Sequence, residues 1–249
     1  MSLNSPILSR RSAAVAAQFD AKAEVYDEYA SLQARIAARL AKYLPDLAAP
    51  RVLELGCGTG LFSRHLVSQY PRGQLYLTDA APGMIGVCRR NLEASAENAS
   101  FEVMDATAPF SYDNLDLIVT SMMLHWLPDP TATLARLRRQ LSPGGMLLFA
   151  TPGPHCFAEW RTVLATEGLP CGIPDLPEMP GVVEEEHLTP DRDSLSFLRR
   201  MKAVGGLHPR DGYEPLSAGD LRKAIRAPNV RVGGRVTGRM GYGRLERAC

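Results

Sequence analysis

Residues 51–60 read RVLELGCGTG, an apolar run from Arg51 to Leu55 that ends in glycines at 56, 58 and 60, with Glu54 just before the turn. A short apolar run of this kind forms a buried strand. Glycines behind it let the backbone turn tightly and bring N–H groups close to a ligand. The next stretch, LFSRHLVSQY, continues as a helix that closes near Pro71–Gly73. The glycine spacing is G-x-G-x-G, and Leu61 stands where a dinucleotide fingerprint needs its third glycine. No G-K-[ST] follows, so the turn is not a Walker A loop.

The strand–helix pattern repeats outward from this unit. QLYLTDA is a second strand ending at Asp79, and PGMIGVCRRNLEASAE is a helix with Pro82 near its start. SFEVMDA is a third strand, and LDLIVTSMML a fourth, apolar enough to be buried on both faces. DPTATLARLRRQL predicts a helix capped by Asp129 with Pro130 at its first position, SPGG a turn, and MLLFAT a fifth strand. This alternation predicts an α/β fold, a doubly wound, mostly parallel sheet with helices on both faces.

The flanks differ. Residues 13–44 are Ala-rich with Leu32, Ile36 and Leu40 at helical spacing, which predicts one long helix stopped by Pro45. After Thr151 one helix is expected in TPGPHCFAEWRTVLATEGL, then a Pro- and Glu-rich loop or lid over 170–191. Two more helices follow, in DSLSFLRRMKAVGG, ended by Gly205–Gly206, and in SAGDLRKAIRA. The glycine-diluted tail VRVGGRVTGRMGYGRLERA reads as a closing hairpin. No linker cuts the chain, so a single domain is expected: a helical cap at 1–48, a core at 49–151, a helical insertion after strand five at 152–227, and closing strands at 228–249.

Composition removes several classes. The 249 residues carry 28 basic and 27 acidic side chains, a net charge of +1, so no global charge points to nucleic acid or an anionic membrane. No apolar run is long enough to span a bilayer, and the N-terminus lacks a signal-like apolar block. The cysteines at 57, 88, 156, 171 and 249 are scattered without C-x-x-C spacing, and no H-E-x-x-H pattern occurs. Free thiols in a reducing cytosol fit better than a disulfide framework or a metal site. The expectation is a cytoplasmic protein without a metal.

Two acids carry the chemistry. Asp79, at the end of the second strand, can accept from two ribose hydroxyls, a geometry shared by nicotinamide and adenosyl cofactors. Asp105, at the end of the third, can accept from an exocyclic adenine amine. VLELGCGTG, LTDAAPGMI, VMDATAPF, LDLIVTSMMLHWLPDP and LSPGGMLLFAT, in that order and spacing, resemble the successive motifs of class I S-adenosylmethionine-dependent methyltransferases. The resemblance covers roughly residues 15–151 and implies a Rossmann-like sheet of seven strands with S-adenosyl-L-methionine as cofactor. It implies cofactor contacts at Glu54, Gly56, Gly58, Gly60, Asp79, Ala80, Met84, Asp105 and Ala106. In this reading Ala80 and Met84 flank the adenine, and Ala106 supplies a backbone N–H. Met84 also reads as helix core.

No N-P-P-[YF] follows strand four, where TSMMLHW stands, which argues against methylation of base or glutamine amines. His125 is placed to contact substrate or act as base, or simply to pack beside Trp126. The outer segments, from VAAQFDAKAEVYDEYASLQARIAARL through FLRRMKAVGG to VTGRMGYGRLERA, resemble the malonyl-[acyl-carrier protein] O-methyltransferases of biotin biosynthesis. Lys202 and Gly205 match in the variable insertion, whereas Gly238 and Arg244 stand where apolar residues are expected. The resemblance implies methylation of the free carboxylate of a malonyl thioester on acyl-carrier protein or CoA. Arg161 and Lys202 are candidates for orienting that carboxylate, and Tyr26 for a lid over the cofactor. Arg199, Arg200, Lys202, Arg210, Arg222, Lys223 and Arg226 are candidates for a face that docks an acidic carrier. The alternatives are a small-molecule O- or C-methyltransferase acting on another carboxylic acid or a polyketide, a non-catalytic cofactor-binding partner, and a nicotinamide dehydrogenase, which Leu61 disfavours.

Overall fold

The structure, a computed structural model, describes residues 10–108, 112–206, 212–227 and 235–248. Seven strands among them form one sheet: β1 (Arg51–Leu55), β2 (Gln74–Asp79), β3 (Ala99–Val103), β4 (Leu115–Ser121), β5 (Leu141–Pro152), β6 (Val182–Leu188) and β7 (Gly238–Glu246). Their order is β3-β2-β1-β4-β5-β7-β6, and β1 to β5 pair in parallel. Rungs from Gly144 to Arg247 and from Gly153 to Arg239 run in opposite senses, so β7 is antiparallel to β5. The doubly wound, mostly parallel sheet is the expected one.

β1 is central because its side chains are apolar on both faces. Val52 and Leu53 are fully buried, as are Leu117, Ile118 and Val119 of β4 beside it. The chain goes outward from β1 through β2 to β3, then crosses back to β4. The carboxyl ends of β1 and β4 therefore flank the switch point of the sheet, where open α/β folds bind ligands.

The backbone contacts divide the chain into two compact units. The first holds residues 1–151, 179–184 and 242–249, and the second 152–178 and 185–241. In the first, α4 (Ser63–Gln69), α5 (Pro82–Leu92) and α6 (Pro130–Arg138) follow β1, β2 and β4. Asp129 caps α6 as expected, accepting from the Ala132 N–H at 2.8 Å. In the second, α7 (Ala158–Thr166), α8 (Ser194–Ala203) and α9 (Ala218–Arg226) pack around Trp160, Val163, Leu164, Phe197, Ala224 and Val236. α8 stops as its sequence asks: Gly205 sits at φ +71° and the Gly206 N–H donates to the Met201 carbonyl at 2.7 Å. The Lys202-x-x-Gly205 element is thus a helix stop.

Three expectations change. The single helix over 13–44 is broken into α1 (Arg10–Asp20), a short α2 (Tyr26–Tyr29) and α3 (Ser31–Leu40). Phe19, Ala23 and Tyr26 pack on Ala81, Met84 and Val87 at α5 across the break. The loop expected at 170–191 contains β6. Its charges, Glu184 to Glu186, are tolerated because β6 is an edge strand, where charge discourages further pairing. Ser142–Gly145 is absorbed into β5 as a bulge, between the Leu115–Leu141 and Leu117–Met146 pairs. Of the expected closing hairpin, whose first arm falls on 228–234 outside the described residues, the structure describes one strand, β7, between β5 and β6. Gly243 of β7 has a packing reason: a Cβ there would stand 2.1 Å from the Phe149 ring.

Candidate functional site

The first unit encloses a cavity at the carboxyl ends of β1, β2 and β4. The turn Gly56–Thr59, Leu61 and Phe62 line it, as do Asp79, Ala80 and Met84, Met104–Ala106, Ser121–Met123, Trp126 and Leu127. Ser12, Val15, Ala16, Phe19, Tyr26, Gln33 and Ala37 close it from the N-terminal helices. Of the residues singled out in the sequence, Glu54, Gly56, Gly58, Asp79, Ala80, Met84, Asp105, Ala106 and Tyr26 come together here, whereas Gly60 and His125 are not on the wall.

The three glycines have separate reasons to be glycine. All have positive φ, +71°, +55° and +92° at 56, 58 and 60. A Cβ on Gly56 would meet Met123 Cγ at 2.7 Å, and one on Gly60 would meet Cys88 Sγ at 3.1 Å. A Cβ on Gly58 would meet nothing within 4 Å, so this glycine leaves open space in the cavity wall. The N–H groups of the turn are engaged within the protein, which the sequence did not suggest. Cys57 donates to the Thr78 carbonyl at 2.9 Å, Gly60 to the Cys57 carbonyl at 3.0 Å, and Gly58 to Asp79 Oδ2 at 2.9 Å.

Asp79 ties the turn to the second βα unit, because its Oδ1 accepts from the Ala81 N–H at 2.9 Å. Burial raises its carboxyl, and N–H donation from Ala81, Gly58 and Ala80 opposes the rise. Glu54 accepts from the Ser63 hydroxyl at 2.6 Å and is pushed up to about 8, by burial first and the Asp79 charge second. Asp105 is 5% exposed, and both of its oxygens accept from Thr107, from the N–H and the hydroxyl, each at 2.8 Å. Each carboxylate oxygen has a second lone pair for a ligand donor. Met84 is 1% exposed in the α5 core and also lines the cavity.

The N-terminal segment is strapped across the turn. The Thr59 hydroxyl donates to Asp27 Oδ1 at 2.5 Å, and Asn91 donates to both Asp27 and the Thr59 carbonyl. Burial, then the Asp79 and Asp27 charges, hold the Tyr26 phenol well above its usual range, so it is neutral. Phe19 packs edge-on against Tyr26 and Trp126. Phe19, Gln33 and Trp126 were not singled out as site residues. The helical stripe that carries Phe19 and Gln33 reads as core, and nothing in TSMMLHWLPDP distinguishes a wall residue from a packed one.

His125 is pushed down to about 3 by burial and lies 4.6 Å, ring centre to ring centre, from Trp126. Its Nδ1 is buried without a hydrogen-bond partner. It is neutral at pH 7 and is a poor proton acceptor there, which favours the packed reading over the base. Arg161 belongs to the second unit, where it donates to the Ile173 and Pro174 carbonyls and pairs with Asp175 at 3.1 Å. It staples the 171–175 loop to α7. Lys202 is exposed on α8 in the same unit. Arg200 forms a buried pair with Asp191, side chains 14% and 5% exposed, and Lys223 pairs with Glu167. Arg199, Arg222 and Arg226 are exposed, and Arg210 lies outside the described residues. No cluster of metal-ligating side chains occurs among the described residues. No helix among them is long and apolar enough to cross a membrane.

Comparison with known proteins gives the kinship of the chain. A family described as a methyltransferase domain matches residues 26–230. The malonyl-[acyl-carrier protein] O-methyltransferase of Magnetococcus marinus is 37% identical over 217 residues, covering 81% of this chain and 80% of that protein. The biotin biosynthesis bifunctional protein BioCD of Bordetella avium is also 37% identical, over 97% of this chain, which spans 54% of that longer protein. Among solved structures, the YcgJ protein from Bacillus subtilis superposes with a TM-score of 0.61 over 86% of this chain and 99% of its own, at 17% identity. A Haemonchus contortus phosphoethanolamine N-methyltransferase 2 in complex with S-adenosyl-L-methionine superposes with a TM-score of 0.58, over 98% of this chain and 61% of its own, at 14% identity. These structural likenesses show the fold, and the sequence matches show the kinship: the chain belongs to the methyltransferase-domain family, among the relatives of the malonyl-[acyl-carrier protein] O-methyltransferases.

Proposed function

We propose that the protein binds S-adenosyl-L-methionine in the first-unit cavity and methylates the free carboxylate of a malonyl thioester, on acyl-carrier protein or CoA, for biotin precursor synthesis. The observation that carries the cofactor assignment is the convergence of the open Gly58 turn, Asp79 and Asp105 on one cavity. The residues fit the group. Asp79 has spare acceptor capacity for ribose hydroxyls and Asp105 for an adenine amine, and Ala80, Met84 and Met104 offer an apolar wall for a flat ring. Bound there, the cofactor supplies an electrophilic methyl group.

The acceptor assignment rests on the relatives of 37% identity named for this reaction. A malonyl carboxylate is ionised at pH 7, since ordinary carboxylates titrate near pH 4. The protein therefore needs no general base, and the neutral, buried His125 fits a reaction without one. The task of the protein is to hold the acceptor oxygen at near-attack distance and exclude water, which supplies ~7–11 kcal/mol in favourable cases. Tyr26, Phe19 and Trp126 provide the apolar cover. A strong double-cation clamp would stabilise the charged ground state more than the neutralising transition state, so a single guanidinium is the better device. The exposed Arg199, Lys202, Arg222 and Arg226 are the proposed docking face for the acidic carrier.

The test is acceptor selectivity. With S-adenosyl-L-methionine, malonyl-CoA should yield a methyl ester and acetyl-CoA should not. Methylation of acetyl-CoA, or of a polyketide in place of the malonyl group, would favour the small-molecule alternative.

A further inference from the structure

We propose that Gln33 holds the ammonium group at the methionyl end of the bound methyl donor. This rests on the cofactor reading above and deepens it by naming the side chain that recognises the amino-acid arm rather than the nucleoside. Gln33 lies on α3, within the first unit, and lines the cavity that this unit encloses. Its carboxamide oxygen, Oε1, is buried without a hydrogen-bond partner.

Among the described residues, the buried side-chain polar atoms without a partner are Gln33 Oε1, Arg51 Nε, Thr120 Oγ1 and His125 Nδ1, and of these four residues Gln33 is the one on the cavity wall. An amide oxygen withdrawn from water and left unpaired costs stability. Packing gives no reason for it. Gln33 keeps helical register with Ile36, Ala37 and Leu40, all buried and apolar, so a leucine at 33 would complete that face. A polar residue that departs from the pattern of its own element marks a functional position. The acids of the wall differ in having partners within the protein: Glu54 accepts from Ser63, Asp79 from Gly58 and Ala81, and Asp105 from Thr107.

The order of the strands says which end of the donor Gln33 meets. Asp105 follows β3 and Asp79 ends β2, so an adenosine held by both lies over those two strands. The sheet continues from β2 to β1 and β4, and the amino-acid arm runs on in that direction, past Gly56 towards Ser121–Met123. α3 packs against β4, which sets Gln33 and Ala37 on the wall at this end. The arm carries an ammonium, which only donates, and a carboxylate, which only accepts. An acceptor without a donor selects the ammonium, and burial strengthens the resulting charge-assisted hydrogen bond.

The experiment measures binding by calorimetry in wild type, Gln33→Leu and Gln33→Glu. The probes are S-adenosylhomocysteine, its des-amino analogue, and 5′-methylthioadenosine, which has the adenosine and sulfur without the arm. Gln33→Leu should bind S-adenosylhomocysteine roughly 10- to 100-fold more weakly, the range of a hydrogen bond to a charged group. It should bind the des-amino analogue and 5′-methylthioadenosine as wild type does. Gln33→Glu keeps an acceptor and should retain most of the S-adenosylhomocysteine affinity. The ligand-free melting temperature of Gln33→Leu should equal or exceed that of wild type, because an unpaired buried oxygen has been removed. Unchanged S-adenosylhomocysteine affinity in Gln33→Leu overturns the proposal while leaving the cofactor reading intact. An equal loss on 5′-methylthioadenosine overturns it as well, since that marks a general role in shaping the wall, and an equal loss on the des-amino analogue removes the ammonium contact. Failure of wild type to bind any of the three probes overturns the cofactor reading itself, and the proposal with it.

Discussion

At the scale of single residues, the glycine turn separates two effects that are usually confounded. Gly56 and Gly58 both sit at positive φ, but only Gly56 has a neighbour in the way of a side chain. Alanine at 58 should cost about 1 kcal/mol of backbone strain and weaken cofactor binding by narrowing the cavity. Alanine at 56 adds the collision with Met123 and should cost about 2–3 kcal/mol. Thermal unfolding and S-adenosylhomocysteine titration of the two variants check this: Gly56→Ala should be the less stable. Glu54 supplies a second residue-scale expectation. Its carboxyl is raised from 4.5 to about 8 by burial, so the folded protein keeps a proton that the unfolded chain loses. Its contribution is complete below the unfolded value and declines as pH rises towards the folded one, at about 1.4 kcal/mol per pH unit. Above the folded value both states are ionised and the decline stops. Melting temperatures measured across that window should fall in the wild type and stay flatter in Glu54→Gln. Parallel curves would show that another group carries the dependence.

At the scale of elements, α8 and α9 have two faces with different duties. Arg200 was a docking candidate in the sequence, but it turns inward to Asp191. Removing one partner of a buried pair strands the other, so Arg200→Ala should destabilise the protein by ~3–5 kcal/mol, read by chemical denaturation. The outward arginines should behave oppositely. Arg222→Glu combined with Arg226→Glu should leave stability and malonyl-CoA turnover near wild type while raising KM for malonyl-carrier protein several-fold, most at low salt. Equal losses on both acceptors would remove the docking face. The helix stops and caps of these elements were legible beforehand, because Asp129 before Pro130 and Gly205–Gly206 after α8 act locally. β6 was not legible, because a Glu-rich strand is distinguished from a loop only by its pairing partner. The break near residue 22 was hidden because Phe19, Ala23 and Tyr26 keep the i, i+4, i+7 spacing of one continuous helical face, and all three pack on α5.

At the scale of the whole molecule, the same contrast runs between cofactor and acceptor. The meeting of Gly56, Gly58, Asp79 and Asp105 at one cavity could be read from the sequence because they sit at strand ends, where spacing along the chain dictates position in space. The acceptor side depends on which long side chains are already paired. Arg161, a carboxylate candidate in the sequence, and Arg200, a docking candidate, are both taken up within the protein, by the 173–175 segment and by Asp191, which only the structure shows. The central claim is methyl transfer to a malonyl carboxylate, and intact-protein mass spectrometry of malonyl-carrier protein incubated with the enzyme and S-adenosyl-L-methionine tests it most directly. The account expects a gain of one methylene mass that requires the free carboxylate, is absent with acetyl-carrier protein, and is lost with Asp79→Ala. An unshifted malonyl-carrier protein, or a shift equal in size and rate on the acetyl form, would contradict it.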